Sequence, residues 1–213
     1  MKIHALPSGP IQAIGYLLTE STAGGAILVD APGGILPKIQ PIMTREGCQL
    51  KEVWLTHGHW DHTQDTAKVK RETGARVRAH RDDRMLIETP ELMEEYLPGG
   101  LQLDPVKIDE FLEQGQHIPI LGCEIEVRHV PGHCPGNVLF YISALNVVLV
   151  GDALFNRSIG RTDLPGGDFP KLERSIREQI YTLPNETVIL PGHGPRTTVY
   201  EEKTGNPFVA AVD

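Results

Sequence analysis

The feature that most constrains this chain is a run of metal-ligand residues, Thr56-His57-Gly58-His59-Trp60-Asp61-His62. Four side chains with nitrogen or oxygen donors lie within six consecutive residues of it. Packing of a hydrophobic core does not require such a density of donors, whereas zinc and related divalent ions are bound by histidine and aspartate. A polar surface loop is the alternative interpretation. The run indicates a metal site that supports chemistry.

The spacing of the donors allows one segment to serve two metal ions. At the end of a strand, His57 and His59 can point to the same side because side chains alternate along a strand. Asp61 and His62 then begin the next helix and can turn toward a neighbouring position. Further ligands must come from elsewhere, and glycine-containing turns beside strand-like runs supply three candidates: His133, Asp152 and His193. The rim formed by strand ends is where α/β proteins commonly place their chemistry.

Apolar runs and helical spacing predict an α/β fold with mixed sheets. Four short runs rich in β-branched residues predict buried strands at 26–29, 53–55, 147–150 and 188–190. Three segments, 37–46, 64–73 and 170–181, predict helices. The acidic segment 88–113 is broken by proline and glycine, which predicts short helices and loops outside the core. Its apolar side chains either pack onto the domain or line a substrate cleft.

Composition excludes several classes of protein. The 213 residues suffice for one domain, predicted over 1–213, and 40% of them are hydrophobic and 23% charged, as in water-soluble globular proteins. No apolar stretch is long enough to cross a bilayer, which excludes a membrane protein. A net charge of -8 argues against a nucleic-acid partner, because affinity for nucleic acid comes from clustered lysine and arginine. A small-molecule substrate is therefore expected.

The cysteines and the first residues predict a cytoplasmic protein. Cys48, Cys123 and Cys134 are odd in number and widely spaced, which argues against a disulfide framework. Residues 1–10 have neither the basic nor the apolar part of a secretory signal. No pattern in the sequence indicates the oligomeric state.

The order and separation of the ligands resemble the metallo-β-lactamase superfamily. His-x-His-x-Asp-His is followed by a Gly-His, a Gly-Asp and a second Gly-His, and the match extends across essentially the whole chain. The resemblance implies a four-layer αββα sandwich, with two mixed sheets flanked by helices and the site along one edge. It also implies two divalent metal ions, zinc first, with iron or manganese as alternatives because histidine and carboxylate sites accept all three. The implied ligands are His57, His59 and His133 for the first metal, Asp61, His62 and His193 for the second, and Asp152 as the bridge.

Further motifs are similar to those of short hydroxyacylglutathione hydrolases of glyoxalase II type. They are residues 151–155, the loop Gly160-Arg161-Thr162-Asp163, and the segments 191–195 and 206–208. Full-length glyoxalase II has a C-terminal helical domain that binds glutathione, whereas this chain ends 20 residues after His193, so weak binding of glutathione is expected. Arg161 is the candidate substrate-binding residue, and it either anchors an anionic substrate or pairs with Asp163 or Asp168.

The resemblance implies a hydrolase that acts on small acyl thioesters such as S-lactoylglutathione. Two metal ions lower the pKa of a shared water to near neutrality, and the metal-bridging hydroxide is the nucleophile. Asp61 orients that hydroxide as well as binding metal, so Asp61 and Asp152 are the candidate catalytic carboxylates. A thioester suits the site because a thiolate leaves without prior protonation, given thiol pKa values of about 8.5.

The main alternative is an oxidoreductase, because persulfide dioxygenases share the fold and the histidine motif but use a single iron. They too have a Gly-Arg-Thr-Asp loop, in which a cysteine typically precedes the glycine and Phe-Gln follows the aspartate. Here the neighbours are Ile159, Leu164 and Pro165, and the Pro-Gly-His-Gly-Pro segment at 191–195 follows the hydrolase style. A true β-lactamase is less favoured, since such secreted enzymes need a signal peptide.

Overall fold

The computed structural model describes residues 1–20, 22 and 24–210, and its backbone divides into two compact units. The first unit comprises Met1–Leu112 and Ile120–Gly122, and the second comprises Glu113–Pro119 and Cys123–Asp213. Among the described residues, no helix is both long and apolar enough to span a membrane. The single domain expected over 1–213 stays a prediction.

The first unit is built on a six-stranded mixed sheet. Its elements, in chain order, are β1 (Lys2–Ser8), β2 (Ala13–Glu20), β3 (Gly25–Val29), α1 (Leu36–Glu46), β4 (Gln49–Trp54), α2 (Trp60–Thr63), α3 (Thr66–Thr73), β5 (Arg76–His80), α4 (Arg84–Glu88) and β6 (Glu110–Leu112). The strands are ordered β1-β2-β3-β4-β5-β6. Pairing is antiparallel from β1 to β3 and parallel from β3 to β6. The parallel half brings the carboxyl ends of β3, β4 and β5 to one edge.

Apolar side chains of two helices pack against this sheet. Leu36 and Ile39 of α1 and Val69 of α3 join a buried cluster with strand residues such as Val53 and Val77. The helices end where glycine adopts the left-handed backbone that stops a helix, at residue 47 with φ 66° and at residue 74 with φ 71°. Short helices and sheet thereby share one core, and the loops after β3 and β4 are left at its edge.

The second unit contains another six-stranded mixed sheet and a small hairpin. Its elements are β7 (His117–Ile120, of which the last residue is counted in the first unit), β8 (Cys123–His129), β9 (Val138–Ile142), β10 (Val147–Gly151), β11 (Leu154–Phe155), β12 (Ser158–Ile159), α5 (Phe169–Ser175), β13 (Val188–Pro191), β14 (Thr197–Thr198) and α6 (Val199–Gly205). The sheet is ordered β14-β13-β10-β9-β8-β7, and β11 pairs with β12. Strands β10 and β13 are parallel, so their carboxyl ends lie side by side. Leu172 of α5 packs in a buried cluster with Val148, Val150 and Ile189.

The predicted secondary structure is confirmed in the periodic segments and needs correction elsewhere. The helix expected over 64–73 begins at Thr66, because residues 60–63 form a separate helix. The helix expected over 170–181 is α5, which continues as a π-helical turn over Ile176–Ile180. The segment 88–113 is not wholly outside the core: Val106 and Ile108 are buried, since the chain returns there to form β6.

Candidate metal centre

The histidine-rich run follows β4 of the first unit. His59 has an extended backbone and caps α2, which contains Asp61 and His62, so the expectation that these two residues begin a helix is confirmed. The ring centroid of His57 lies 4.8 Å from that of His59 and 4.3 Å from that of His62. A carboxylate oxygen of Asp61 lies 3.3 Å from Nε2 of His62. The four donors of the run therefore share one small, buried region.

Asp30, at the end of β3, anchors this region. It is 1% exposed, and its carboxylate accepts hydrogen bonds from the backbone N–H of Thr56 at 2.7 Å, the hydroxyl of Thr56 at 2.7 Å and Nδ1 of His62 at 2.8 Å. Its backbone is left-handed, with φ 60°, a conformation that aspartate and asparagine tolerate better than most residues. The buried Tyr16 lies near it, and burial together with the charge of Asp30 raises the pKa of that phenol.

These contacts select which ring nitrogen of two histidines can bind a metal. A carboxylate only accepts, so Nδ1 of His62 donates to Asp30 and its Nε2 keeps the lone pair. The hydroxyl of Thr56 gives its hydrogen to Asp30 as well. It must then accept from Nδ1 of His57, 3.0 Å away, which leaves Nε2 of His57 with a lone pair. Metal-binding histidines characteristically donate their other N–H in this way.

A close approach of α4 requires the glycine between the first two histidines. A Cβ placed on Gly58 would lie 2.8 Å from Cβ of Leu86 and 3.2 Å from Cβ of Asp83. The carboxylate of Asp83, which is fully buried, accepts the backbone N–H of Gly58 at 2.8 Å. The glycine between His57 and His59 is therefore required by the close packing against Leu86 and Asp83, in addition to the spacing that it gives the two histidines.

The second unit presents two histidines and an aspartate from turns that follow strands. Asp152 follows β10, and His193 follows the neighbouring parallel strand β13. One carboxylate oxygen of Asp152 lies 3.8 Å from Nε2 of His133 and 3.5 Å from Nε2 of His193. A ligand that bridges two metal ions must lie near the other ligands of both, and this Asp152 oxygen lies near one imidazole nitrogen of each histidine.

His133 is oriented by the loop that follows β12. Its Nδ1 lies 2.8 Å from the backbone carbonyl of Arg161. A carbonyl only accepts, so Nδ1 carries the hydrogen and Nε2, the nitrogen near Asp152, keeps the lone pair. Gly160 makes this possible, because a Cβ there would collide with the backbone carbonyl of Asp152 and lie 2.8 Å from Nδ1 of His133.

The side chain of Arg161 is bound within its own loop. Its Nε and Nη2 donate to the two carboxylate oxygens of Asp163 at 2.7 and 2.6 Å. This hydrogen bonding, with the charge of the guanidinium, lowers the pKa of Asp163 to about 2. Of the two aspartates predicted as partners for Arg161, Asp163 forms the ion pair. Asp168 instead caps α5 by accepting the backbone N–H of Lys171.

The sequence alone did not identify Asp30 as part of the site. The one signal available was its position, since the run 26–29 ends at Asp30 as the run 147–150 ends shortly before Asp152. Its contact with Thr56 spans 26 residues and depends on the parallel pairing of β3 with β4.

Comparison with known proteins assigns the family. The profile described as the metallo-beta-lactamase superfamily matches residues 10–193, which is most of the chain. This chain belongs to the metallo-beta-lactamase superfamily. The predicted fold class is confirmed, because two large mixed sheets flanked by helices match the fold of this superfamily. Its histidine and aspartate clusters fit the dinuclear metal site of that fold.

Two relatives in the superfamily match at similar levels over nearly their full length. The probable metallo-hydrolase YqgX of Bacillus subtilis (strain 168) is 34% identical, and the match covers 98% of each chain. Hydroxyacylglutathione hydrolase GloC of Haemophilus influenzae (strain ATCC 51907 / DSM 11121 / KW20 / Rd) is 32% identical, again over 98% of each chain. These matches support the prediction that the chain is a metal-binding hydrolase of this superfamily.

Two solved structures share the fold and about a third of the sequence. The crystal structure of BLEG-1 B3 metallo-beta-lactamase has a TM-score of 0.89 and 34% identity, covering 98% of this chain and 99% of that one. The structure of TTHA1623 in a di-iron-bound form has a TM-score of 0.84 and 35% identity, covering 96% and 99%.

Proposed function

We propose that this chain is a metal-dependent thioesterase of glyoxalase II type that hydrolyses S-lactoylglutathione or a similar small acyl thioester. The observation that carries the metal requirement is the orientation of His57, His62 and His133. Each has Nδ1 held in a hydrogen bond, which places the lone pair that can bind a cation on Nε2. The substrate class is supported by the 32% identity to a hydroxyacylglutathione hydrolase over 98% of each chain.

The seven candidate ligands are proposed to hold two divalent ions. The set contains imidazole nitrogens and carboxylate oxygens, a chemistry suited to zinc, iron and manganese alike. One ion would be held by His57, His59 and His133, the other by Asp61, His62 and His193, with Asp152 shared between them. The position of one Asp152 oxygen near both His133 and His193 supports its role as the shared ligand.

Bound there, two ions would supply an activated water near neutral pH and a positive charge that polarises the substrate carbonyl. Other residues of the chain hold the ligand histidines in position. Asp30 fixes His62 directly and His57 through Thr56, and the carbonyl of Arg161 fixes His133. Asp61 and Asp152 place acceptor oxygens beside the ligand imidazoles, where they can orient a water that donates to them.

A thioester matches this set of residues because its leaving group needs no proton donor. A thiol has a pKa of about 8.5, so the thiolate is a competent leaving group near neutral pH. The ligand imidazoles can then stay neutral and the ligand carboxylates ionised during the reaction, as metal binding demands.

Hydrolysis of β-lactams is a second candidate because a B3 metallo-beta-lactamase is 34% identical over nearly the whole chain. Opening a lactam releases an amine, which is a poorer leaving group than a thiolate and usually requires protonation. The thioester therefore remains the proposed substrate.

The test measures metal content and three activities in one preparation. Protein purified without added metal is analysed for zinc, iron and manganese, then stripped and reloaded with each metal separately. Each form is assayed with S-lactoylglutathione, with a β-lactam, and with glutathione persulfide in an oxygen electrode. His133→Ala should lose thioester hydrolysis, while His117→Ala, at an exposed position, serves as the matched control.

Metal-dependent thioester hydrolysis that is lost in His133→Ala and kept in His117→Ala supports the proposal. Oxygen consumption with glutathione persulfide by protein that leaves the thioester untouched would replace it with a mononuclear-iron dioxygenase. Turnover of the β-lactam alone would replace it with a lactamase.

A further inference from the structure

Glu202 of α6 is a carboxylate with no exposed surface that the proposed chemistry does not use. Its Oε1 accepts the hydroxyl of Thr197 at 2.6 Å. Its Oε2 accepts the backbone N–H of Arg157 at 3.0 Å and the side-chain amide of Asn206 at 2.8 Å. A buried carboxylate is expensive unless its oxygens are satisfied in this way, and the arrangement therefore fixes all three donors relative to α6.

Two of these contacts attach the β11–β12 hairpin to α6. Arg157 lies in the turn between the two strands, where its backbone is left-handed at φ 58°. Asn206 donates to the carbonyl of Ser158 at 3.1 Å as well as to Glu202. The side chain of Arg157 also lies against Gly205, where a Cβ would collide with its guanidinium. The tip of the hairpin is thus held by side-chain and backbone contacts to one helix.

The hairpin in turn touches the proposed metal ligands of the second unit. It begins two residues after Asp152. Phe155 on β11 lies edge-on to the ring of His193, with centroids 6.1 Å apart. Gly160 and Arg161 follow β12 directly, and the carbonyl of Arg161 accepts Nδ1 of His133. A displacement of the hairpin would therefore reach all three ligands of this unit.

The third contact of Glu202 connects α6 to the chain that carries His193. Thr197 lies on β14, which pairs antiparallel with β13, and His193 stands in the turn between these strands. The same carboxylate therefore fixes both the segment after Asp152 and the segment after His193.

We propose that Glu202 is a positioning residue for the metal ligands of the second unit and acts through the β11–β12 hairpin. This inference rests on the proposed metal centre but not on the thioester substrate. A role limited to folding would lower the stability of the protein and leave the metal affinity of the folded form unchanged. A positioning role lowers metal affinity while the protein is still folded.

The variants separate the hydrogen bonds from the charge. Glu202→Ala removes all three contacts. Glu202→Gln can keep its carbonyl on Arg157 and Asn206, while its NH2 group donates to the Thr197 hydroxyl, which can accept. Glu186→Ala is the control, because Glu186 is an exposed glutamate of the same unit.

The experiment measures affinity for zinc by competition with a chromophoric chelator, with circular dichroism and thermal unfolding on the same samples. Loss of a group that orients metal ligands commonly weakens metal binding by about tenfold to a hundredfold. We expect a loss of that size for at least one ion in folded Glu202→Ala, recovery of most of it in Glu202→Gln, and no change in Glu186→Ala.

Unchanged zinc affinity in folded Glu202→Ala would overturn the inference. If that variant does not fold, Phe155→Leu tests the same path at a partly exposed position. It should weaken zinc binding, and wild-type affinity there would overturn the inference instead. If the wild-type protein did not hydrolyse the thioester but the variants still showed these changes in zinc affinity, the proposed substrate would be rejected. The role of Glu202 as a positioning residue would still be supported.

Discussion

The carboxylate of Asp30 accepts the Nδ1 hydrogen of His62 at 2.8 Å, and both side chains are buried. Because this hydrogen bond decides which nitrogen of His62 has a lone pair, the residue that holds the ligand matters as much as the ligand itself. An ionised aspartate can only accept a hydrogen bond, so the hydrogen of the imidazole stays on Nδ1. The lone pair that can bind a metal is then on Nε2.

Asp30→Asn should weaken metal binding by about tenfold to a hundredfold while the protein stays folded. Asparagine tolerates the left-handed backbone at this position. An amide has one acceptor oxygen, so its NH2 group must face either the backbone N–H of Thr56 or the pair formed by the Thr56 hydroxyl and Nδ1 of His62. The first orientation sets two donors against each other, and the second favours the wrong tautomer of the imidazole. Chelator competition measures the affinity, and thermal unfolding measures the stability.

Asp104→Asn is the control for this change, since the Asp104 side chain is 67% exposed and pairs only loosely with Arg71, at 3.7 Å. It should bind metal as the wild type does. Equal affinities in the two variants would show that Asp30 does not orient the ligands.

Gly160→Ala should disturb His133 more than an ordinary glycine-to-alanine change in a loop. The added Cβ would collide with the carbonyl of Asp152 and crowd Nδ1 of His133. The loop must move to accommodate it, and the hydrogen bond from His133 to the carbonyl of Arg161 would be lost. We expect weaker metal binding and a large loss of hydrolytic turnover, measured on folded protein.

Gly99→Ala is the corresponding control, because a Cβ at Gly99 would meet no atom within 4 Å. If both alanine variants kept full metal affinity and turnover, the close approach at Gly160 would have no functional consequence.

The candidate metal ligands could be proposed from the sequence because their signals are local. Four of them lie in one run, and the others stand in short glycine turns after strand-like runs. The residues that hold these ligands could not be predicted in the same way. Asp30 meets Thr56 across 26 residues, and Glu202 meets Arg157 across 45. Such contacts depend on strand order, which hydrophobic periodicity does not specify.

The fold shows the same division between local and long-range information. Helix α1 was predicted to within one residue because proline at its start and glycine after its end mark its limits. The strand β6, at Glu110–Leu112, was not predicted. It is three residues long, follows a proline-broken segment, and is a strand because β5 offers it a parallel partner.

Thr19→Val should raise the pKa of Glu46 from about 2 toward the ordinary value. The hydrogen bond from the Thr19 hydroxyl is the largest cause of the lowered pKa, followed by the contact with Lys2. A carboxylate whose pKa is lowered on folding stabilises the folded state above its unfolded pKa of about 4.3. That contribution is lost as the pH falls from there through about 2.

Carbon-detected NMR titration of the Glu46 carboxyl group, in wild type and Thr19→Val, measures this shift. Thr44→Val is the control, because Thr44 donates to the carbonyl of Gln40 within its own helix. An unchanged Glu46 pKa in Thr19→Val would contradict the assignment of the cause.

Asp152→Ala should weaken the binding of both metal ions, whereas His193→Ala should weaken mainly one. The reason is the position of one Asp152 oxygen, 3.8 Å from Nε2 of His133 and 3.5 Å from Nε2 of His193, which suits a ligand shared by two ions. Elemental analysis of fully loaded protein should give two ions per chain for the wild type. Titration of each variant with zinc should then give two weakened sites for Asp152→Ala and one for His193→Ala. Asp104→Ala, at an exposed residue, should keep both sites. Saturation of the wild type at one ion per chain would reject the dinuclear centre, and equal effects of Asp152→Ala and Asp104→Ala would reject Asp152 as the bridge.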